Sequence, residues 1–254
     1  MQAPANSFRS DLFAGKTILV SGGSSGVGLA LARGYAALGG TVVVTGTSEA
    51  KLQANRDDEA NRGIAFVRLD VRDGAAIAER MATLSHLDVL VNAAGILSVD
   101  APFDEAAYLD VMDVNLHGAL RLALAGQPLL AQSGGAILNI VSMICFTGSP
   151  AMVAYTASKS ALKGLTHTLA HRFGRDGIRV NAIAPGFHRT AMSAPVWSDP
   201  VVSERVVRRT ALGRWGEVED LVGPALFLSS PAAAYVTGET FIVDGGWLSG
   251  SGLD

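Results

Sequence analysis

The sequence predicts an α/β fold in which helices surround a parallel sheet. From Gly15 onward, short runs of β-branched residues alternate with Ala- and Leu-rich amphipathic stretches, which is the pattern of βα units. A second observation is the apolar run TILV, which ends in the glycine-rich turn SGGSSGVG and a helical pattern. Third, the chain of 254 residues is 49% hydrophobic and has no repeat or linker, which favours one domain over residues 1–254.

Seven segments have the composition of strands, and helices are expected in the gaps between them. The predicted strands are residues 17–20, 41–45, 64–69, 89–92, 136–141, 179–184 and 240–243. Before the first strand, residues 1–13 are expected to form a flexible arm. Leu12 and Phe13, at the end of this arm, have apolar side chains that can pack against the first strand.

Composition and charge argue against several classes of function. The formal net charge is −3 at pH 7 and the 20 Lys and Arg residues are scattered, so no nucleic-acid partner is expected. The single cysteine, Cys145, cannot form an internal disulfide and is interpreted as a small buried apolar residue. The sequence contains no CxxC or HExxH pattern, so no metal site is expected. No apolar run reaches the roughly 18 residues that span a membrane, and no signal peptide is recognisable, so we expect a cytoplasmic protein.

The glycine-rich turn after the first strand has the features of a phosphate-binding loop. Gly22, Gly26 and Gly28 open a helix, where backbone N–H groups and the helix N-terminus can approach a pyrophosphate without obstruction. The GxxxGxG spacing differs from the GxGxxG dinucleotide fingerprint. A tight connection between strand and helix remains the alternative interpretation.

Tyr155 and Lys159 stand one helical turn apart in AYTASKSALKGL, which puts a phenol and an ammonium on one helix face. A phenol titrates at about 10 in water, so it becomes an effective base near neutral pH only when a positive charge stabilises the phenolate. Lys159 can supply that charge. By spacing alone, such a pair is more often only a solvated contact on a helix surface.

Taken together, these motifs resemble those of the short-chain dehydrogenase/reductase family. In order and spacing, the resemblance rests on the glycine turn, NAAG at residues 92–95, Asn115, Ser142, the Tyr155/Lys159 pair and PG at residues 185–186. It extends over residues 15–247. The resemblance implies a doubly wound, Rossmann-type sheet of seven strands in the order 3-2-1-4-5-6-7, which binds NAD(H) or NADP(H) at the carboxyl edge of its strands.

The same resemblance implies four catalytic residues for hydride transfer between a secondary alcohol and a ketone. Ser142 polarises the carbonyl, and Tyr155 is the general acid/base. Lys159 lowers the pKa of Tyr155 and holds the cofactor ribose. Asn115 holds a water behind the lysine; its alternative role is that of a buried polar residue satisfied by the backbone.

Cofactor contacts are expected along the strand ends. They are Gly22, Ser24, Ser25, Gly26, Val27, Gly28, Thr47, Asp70, Val71, Asn92, Ala93, Ala94, Gly95, Tyr155, Lys159, Pro185, Gly186, His188 and Thr190. Asp70 is expected to meet the adenine amino group, or else to be a turn residue. Ala93 departs from the usual NNAG, and His188 stands where an aliphatic residue is usual, so its ring is expected to be exposed.

The end of the second strand bears on the choice between NAD(H) and NADP(H). An acidic residue there favours the ribose hydroxyls of NAD(H), whereas an arginine favours the 2′-phosphate of NADP(H). This chain has Gly46 and Thr47 at those positions and Ser25 in the glycine turn. Without a repelling carboxylate, and with nearby hydroxyls as donors, NADP(H) is favoured over NAD(H).

Substrate contacts are expected from Ser142, Ile144, Tyr155 and Phe187, with residues 187–215 folding over the substrate as a lid. The surrounding segments are mostly apolar, which favours an uncharged, fairly hydrophobic alcohol or ketone over a small acid. Two alternatives remain. One is a 3-oxoacyl thioester reductase, in which Arg208 and Arg209 bind an acyl carrier; the other is a regulator that binds NAD(P) without turnover. The resemblance also implies a homotetramer.

Overall fold

The computed structural model describes residues 7–99 and 103–250, and its centre is a seven-stranded parallel sheet. The strands are β1 (Thr17–Ser21), β2 (Thr41–Gly46), β3 (Ile64–Arg68), β4 (Val89–Asn92), β5 (Ala136–Ile140), β6 (Arg179–Pro185) and β7 (Thr240–Val243). Their order is β3-β2-β1-β4-β5-β6-β7. The predicted fold and strand order are confirmed, and each predicted strand ends within one residue of the observed boundary.

Helices cover both faces of the sheet. They are α1 (Gly26–Ala37), α2 (Glu49–Asp57), α3 (Gly74–Ala82), α4 (Glu105–Met112), α5 (Gly118–Ser133), α6 (Val153–Phe173), α7 (Ala194–Trp197), α8 (Pro200–Arg209) and α9 (Val222–Ser229). Because side chains alternate along a strand, Ile18 and Val20 of β1 join the core cluster containing residues of α1 and α9. Leu19, between them, joins the cluster containing residues of α3, α5 and α6.

The strand order reverses beside β1, which pairs with β2 on one side and β4 on the other. Ser21 at the end of β1 is in register with Thr45 and Asn92. The segments that leave β1, β4, β5 and β6 therefore emerge at the same carboxyl edge of the sheet. A reversal of this kind opens a crevice between the connections, where doubly wound folds bind ligands.

Phe13, the last residue of the predicted arm, packs against the folded chain, as its apolar side chain allows. Its side chain is buried, its backbone N–H donates to the carbonyl of Leu38 at 2.9 Å, and its ring packs edge-on against Tyr35 at 5.0 Å between centroids. Burial of the apolar ring provides the free energy that orders this segment. Residues 1–6 lie outside the described residues. Among those described, no helix has both the length and the apolar character needed to cross a membrane.

Candidate active site

The glycine turn packs closely against the segment that follows β4. A Cβ atom on Gly22 would lie 2.4 Å from the Cα of Ala94, and one on Gly28 would lie 2.5 Å from the carbonyl oxygen of Gly22. Neither position can accept a side chain without moving backbone. Gly26 differs, since its Cβ would meet nothing nearer than Thr190, at 3.7 Å. The turn therefore presents bare backbone and the N-terminus of α1 to the space in front of it.

That space is a cleft of about 610 Å³ along the carboxyl edge of the sheet. Of the residues predicted to bind cofactor or substrate, those lining it are Gly22, Ser24, Ser25, Gly26, Val27, Gly28, Thr47, Asp70, Val71, Ala93, Ala94, Gly95, Ser142, Ile144, Tyr155, Lys159, Pro185, Gly186, Phe187, His188 and Thr190. Asn92 and Asn115 lie behind its wall. Within residues 7–99 and 103–250, no three potential metal ligands cluster together.

Asn92 was predicted to contact the cofactor, but its side chain points into the protein below the cleft. It is buried, and its Nδ2 donates to Oδ1 of Asn139 at 2.9 Å. Asn139 in turn donates to the hydroxyl of Thr166 at 2.9 Å. The side chain of Asn92 is therefore engaged inside the protein, whereas Ala93, Ala94 and Gly95 line the cleft. The cofactor contact at Asn92 stays a prediction.

Asn115 lies in a single π-helical turn, Asp113–His117, between α4 and α5. Its carboxamide pairs with both backbone groups of Ile96, donating to the carbonyl at 3.0 Å and accepting from the N–H at 2.8 Å. A second amide hydrogen bonds Ser158 at 3.1 Å. The carboxamide is thus satisfied largely by backbone, which was the alternative interpretation. The pairing fixes the segment after β4, where a Cβ on Gly95 would lie 3.4 Å from Nζ of Lys159.

Lys159 is almost fully buried in α6, with its Nζ directed at the cleft. Nζ donates to the carbonyl oxygen of Ile140 at 2.8 Å and lies 5.7 Å from the ring centroid of Tyr155. Burial penalises the ammonium and lowers the pKa of Lys159 to about 8. The side chain therefore still carries its charge at neutral pH, in a place where that charge is poorly screened.

Tyr155 does not have the lowered pKa that the sequence predicted. Burial raises the pKa of Tyr155 to about 12, and a hydrogen bond with Ser142 opposes this shift. The cost of moving a phenolate out of water is the largest cause of this shift. Ser142 also accepts from the N–H of Ile144 at 3.3 Å, which fixes its hydroxyl at the end of β5. Ser142 and Tyr155 both line the cleft.

Asp70 has a neighbour that the sequence prediction did not consider. Arg72 donates to the Asp70 carboxylate from Nη2 at 2.6 Å and from Nε at 3.0 Å, and the backbone N–H of Arg72 donates to it at 2.9 Å. Arg72 also reaches Asp110 of α4 at 2.7 Å. These contacts lower the pKa of Asp70, with the side-chain hydrogen bond from Arg72 as the largest cause. In the structure, the Asp70 side chain therefore stabilises the turn after β3, which was the alternative prediction for this residue.

His188 corrects another expectation, since its ring is buried rather than exposed. Its Nδ1 lies 3.2 Å from the carbonyl oxygen of Gly186, and its ring packs so closely that a Cβ on Gly216 would lie 2.6 Å from it. Burial lowers the pKa of His188. Gly216 leaves room for the imidazole. This contact joins segments that are distant in sequence, so no local sequence pattern predicts it.

Among the cleft residues that the sequence prediction did not single out are Lys51 and Ser193. Lys51, in the first turn of α2, lines it close to Thr47. Ser193 lines it at the other end, where its hydroxyl donates to the carbonyl of His188 at 2.6 Å and accepts from the N–H of Thr190 at 3.0 Å. The sequence contains one indication for Lys51. It stands three residues after Ser48, the N-cap of α2, and therefore in the helical turn that follows the end of β2.

Comparison with known proteins agrees with this geometry. A family model described as enoyl-(acyl carrier protein) reductase matches residues 22–248. The chain belongs to the short-chain dehydrogenase/reductase family. A 2-dehydro-3-deoxy-D-gluconate 5-dehydrogenase of Bacillus subtilis is 38% identical to this short-chain dehydrogenase/reductase over 92% of this chain and 95% of the relative.

Two other relatives of this short-chain dehydrogenase/reductase differ in their named activities. A 3-oxoacyl-[acyl-carrier-protein] reductase of Aquifex aeolicus is 35% identical over 91% of this chain and 97% of its own. The crystal structure of a gluconate 5-dehydrogenase from Burkholderia cenocepacia, in complex with NADP and tartrate, superposes with a TM-score of 0.87. It is 34% identical and covers 95% of this chain and 99% of its own.

The protein is an NAD(P)-dependent oxidoreductase that interconverts a secondary alcohol and a ketone, with a small molecule as substrate. The chain's own geometry fits a nicotinamide dinucleotide. The glycines whose Cβ atoms would collide with backbone form a cradle at the N-terminus of α1, and the cleft continues from there to Tyr155 and Lys159.

Proposed function

We propose that this short-chain dehydrogenase/reductase uses NADP(H) and acts on an uncharged, largely apolar alcohol or ketone, with Tyr155 as general acid/base. The observation that carries the proposal is the set formed by Ser142, Tyr155 and the buried Lys159, which line the cleft together with a group of apolar side chains. This arrangement offers two hydroxyls to a substrate oxygen and a buried positive charge behind them.

Each residue of the set has a distinct role in the proposed reaction. Ser142 donates a hydrogen bond to the substrate oxygen as negative charge grows there, and Tyr155 gives its proton to that oxygen during reduction. Lys159 stabilises the tyrosinate that remains. Asn115 holds the Ile96 backbone and so fixes the wall beside the lysine. The nicotinamide cofactor, when bound, supplies the hydride in this direction and accepts it in the other.

The lining of the substrate end supports an apolar substrate. It is formed by Ile96, Leu97, Met143, Ile144, Met152, Phe187, Met192 and Val196. Such a surface gains free energy by excluding water from apolar groups and offers little to a carboxylate. We therefore favour an aliphatic or cyclic ketone.

A sugar acid is the second candidate, because two of the relatives above are named for oxidising or reducing gluconate derivatives.

The thioester reductase has less support. Arg208 is paired with Glu204 at 2.7 Å, and the guanidinium of Arg209 stacks 3.6 Å from the ring centroid of Trp247. Both side chains that were candidates for binding an acyl carrier thus have partners within the chain. A regulator without turnover has no specific observation in its favour.

A substrate panel tests these alternatives directly. Cyclohexanone, 5-ketogluconate and an acetoacetyl thioester are each offered with NADPH and with NADH, and cofactor oxidation is followed by absorbance. We expect the highest kcat/KM for the cyclic ketone with NADPH. A higher value for 5-ketogluconate would replace the apolar substrate by a sugar acid, and tight NADPH binding without turnover of any member would favour the regulator.

Lys51 supports NADP(H) as the cofactor, because it puts a cation near Thr47 at the end of β2. A 2′-phosphate there would gain a charge-assisted hydrogen bond. We predict that Lys51→Ala weakens NADPH binding roughly tenfold while leaving NADH binding unchanged, measured by fluorescence titration. Lys163→Ala is the matched control, since Lys163 does not line the cleft. Equal effects on both cofactors would show that the phosphate is recognised elsewhere.

We also propose a homotetramer in the cytoplasm. Apolar side chains are exposed on neighbouring helices, among them Leu109 on α4 and Leu124 on α5, and surfaces of this kind are commonly covered by a second copy of the chain.

A further inference from the structure

Phe187 forms a partition between two cavities. Its side chain lines the main cleft on one side and a second cavity of about 220 Å³ on the other. The second cavity is also lined by Leu212, Arg214 and Asp244. A side chain with space on two sides is not fixed by dense packing, so its position depends on its remaining contacts.

Two tryptophans provide those contacts. The ring centroids of Trp215 and Trp247 each lie 5.5 Å from that of Phe187, at interplanar angles of 78° and 61°. Both are edge-to-face arrangements, the geometry that aromatic pairs prefer. Trp215 is buried, and its Nε1 donates to the hydroxyl of Ser203 in α8 at 2.8 Å.

Trp247 also contacts the end of the same helix. The guanidinium carbon of Arg209, the last residue of α8, lies 3.6 Å from the Trp247 ring centroid. The turn that carries Trp247 is tightened by Asp244, whose carboxylate accepts from the N–H groups of Gly246 and Leu248 at 2.8 Å each. Helix α8 of the lid is thus joined through both tryptophans to Phe187.

We propose that Arg209 and Trp247 are positioning residues that hold Phe187 as the wall of the substrate site and thereby limit the size of the substrate. This inference rests on the proposed function, because it takes the Phe187 side of the cleft as the substrate end. When the stack is lost, the ring of Phe187 can retreat into the cavity behind it and admit a bulkier ketone.

The chain contains a matched control for Arg209. Arg208, its neighbour in α8, is exposed and pairs with Glu204 one turn earlier at 2.7 Å. Arg208→Ala and Arg209→Ala remove the same charge from the same helix end, but only the second removes a contact with Trp247.

The test compares kcat/KM for cyclohexanone with kcat/KM for the fused bicyclic ketone 2-decalone. We expect Arg209→Ala to raise the ratio of bulky to small substrate about two- to fivefold, the size of one exposed cation–π contact. Trp247→Ala is expected to raise it further, Trp247→Phe to return it towards the parent value, and Arg208→Ala to leave it unchanged. In a Phe187→Ala background, Arg209→Ala should have no further effect on the ratio.

A second readout does not depend on catalysis. Backbone hydrogen exchange at residues 187–190 and 212–216, which pair through Phe187 and Gly216 at 2.9 Å, should be faster in Arg209→Ala than in Arg208→Ala. Unchanged exchange in Arg209→Ala, or an unchanged substrate ratio in both Arg209→Ala and Trp247→Ala, would overturn the inference. If the parent enzyme reduces neither ketone, the proposed substrate class fails, while exchange still decides whether Arg209 positions Phe187.

Discussion

Tyr155 and Lys159 stand one turn apart in α6, and burial shifts their pKa values in opposite directions, to about 12 and about 8. At neutral pH the phenol is therefore protonated and ready to donate. Tyr155→Phe removes the transferable proton but keeps the ring. We expect kcat/KM to fall by at least about 10²-fold while NADPH affinity stays within about twofold of the parent value, by steady-state kinetics and fluorescence titration.

Tyr35→Phe is the control for the loss of a buried hydroxyl, because the Tyr35 hydroxyl bonds Ser229 at 2.7 Å far from the cleft. It should lower stability without changing kcat. If the Tyr155 variant keeps more than a tenth of the parent activity, the proton comes from another group.

Lys159 also gives the protein a pH-dependent stability with a definite sign. Its pKa is about 8 in the folded protein, below the ordinary value of 10.5, so between these values the unfolded chain binds a proton that the folded chain does not. Stability contributed at this position therefore increases with pH through that window, and the buried charge is costly below it. Lys159→Met should be more stable than the parent by an amount that is largest below pH of about 8 and shrinks above it, in urea unfolding at several pH values. A difference that is constant with pH would contradict the shifted pKa.

At the scale of secondary structure, the π-helical turn around Asn115 links α4 and α5 to the active-site wall. A wider turn of this kind redirects a side chain that an α-helix would aim elsewhere, and here the amide reaches both backbone groups of Ile96. Asn115→Ala leaves these groups without partners, and each costs about 1–3 kcal/mol. We predict lower stability together with a lower kcat, measured by thermal unfolding and single-turnover reduction.

Asn181 in β6 separates the two effects, because its amide makes the same kind of backbone pair, with Val236 and Glu239 at 2.8 and 3.0 Å. Asn181→Ala should lose comparable stability but keep kcat once folded. Equal losses of kcat in Asn115→Ala and Asn181→Ala would mean that Asn115 has only a structural role.

Across the whole molecule, what the sequence predicts well is what depends on short-range pattern. Strand boundaries follow from β-branched runs, and the strand order follows from the family resemblance. The exceptions have tertiary causes. Asn92 turns inward to pair with Asn139, the His188 ring fills the space left by Gly216, and burial raises the Tyr155 pKa. Each depends on atoms supplied by a distant segment, which residue spacing cannot reveal.

The surface of the whole molecule carries the last prediction, which concerns assembly. Leu124 on α5 is 56% exposed and Val201 on α8 is 60% exposed, so the two cost similar hydration free energy when uncovered. In the proposed tetramer, α5 lies in a contact between subunits and α8 does not. Leu124→Glu should therefore produce a species of smaller mass by light scattering, because a carboxylate at a closed apolar contact is left unpaired. Val201→Glu, which introduces the same charge, should retain the parent mass. A Leu124 variant with unchanged mass would mean that α5 is not part of a contact between subunits, and a smaller mass for the Val201 variant would place that contact at α8.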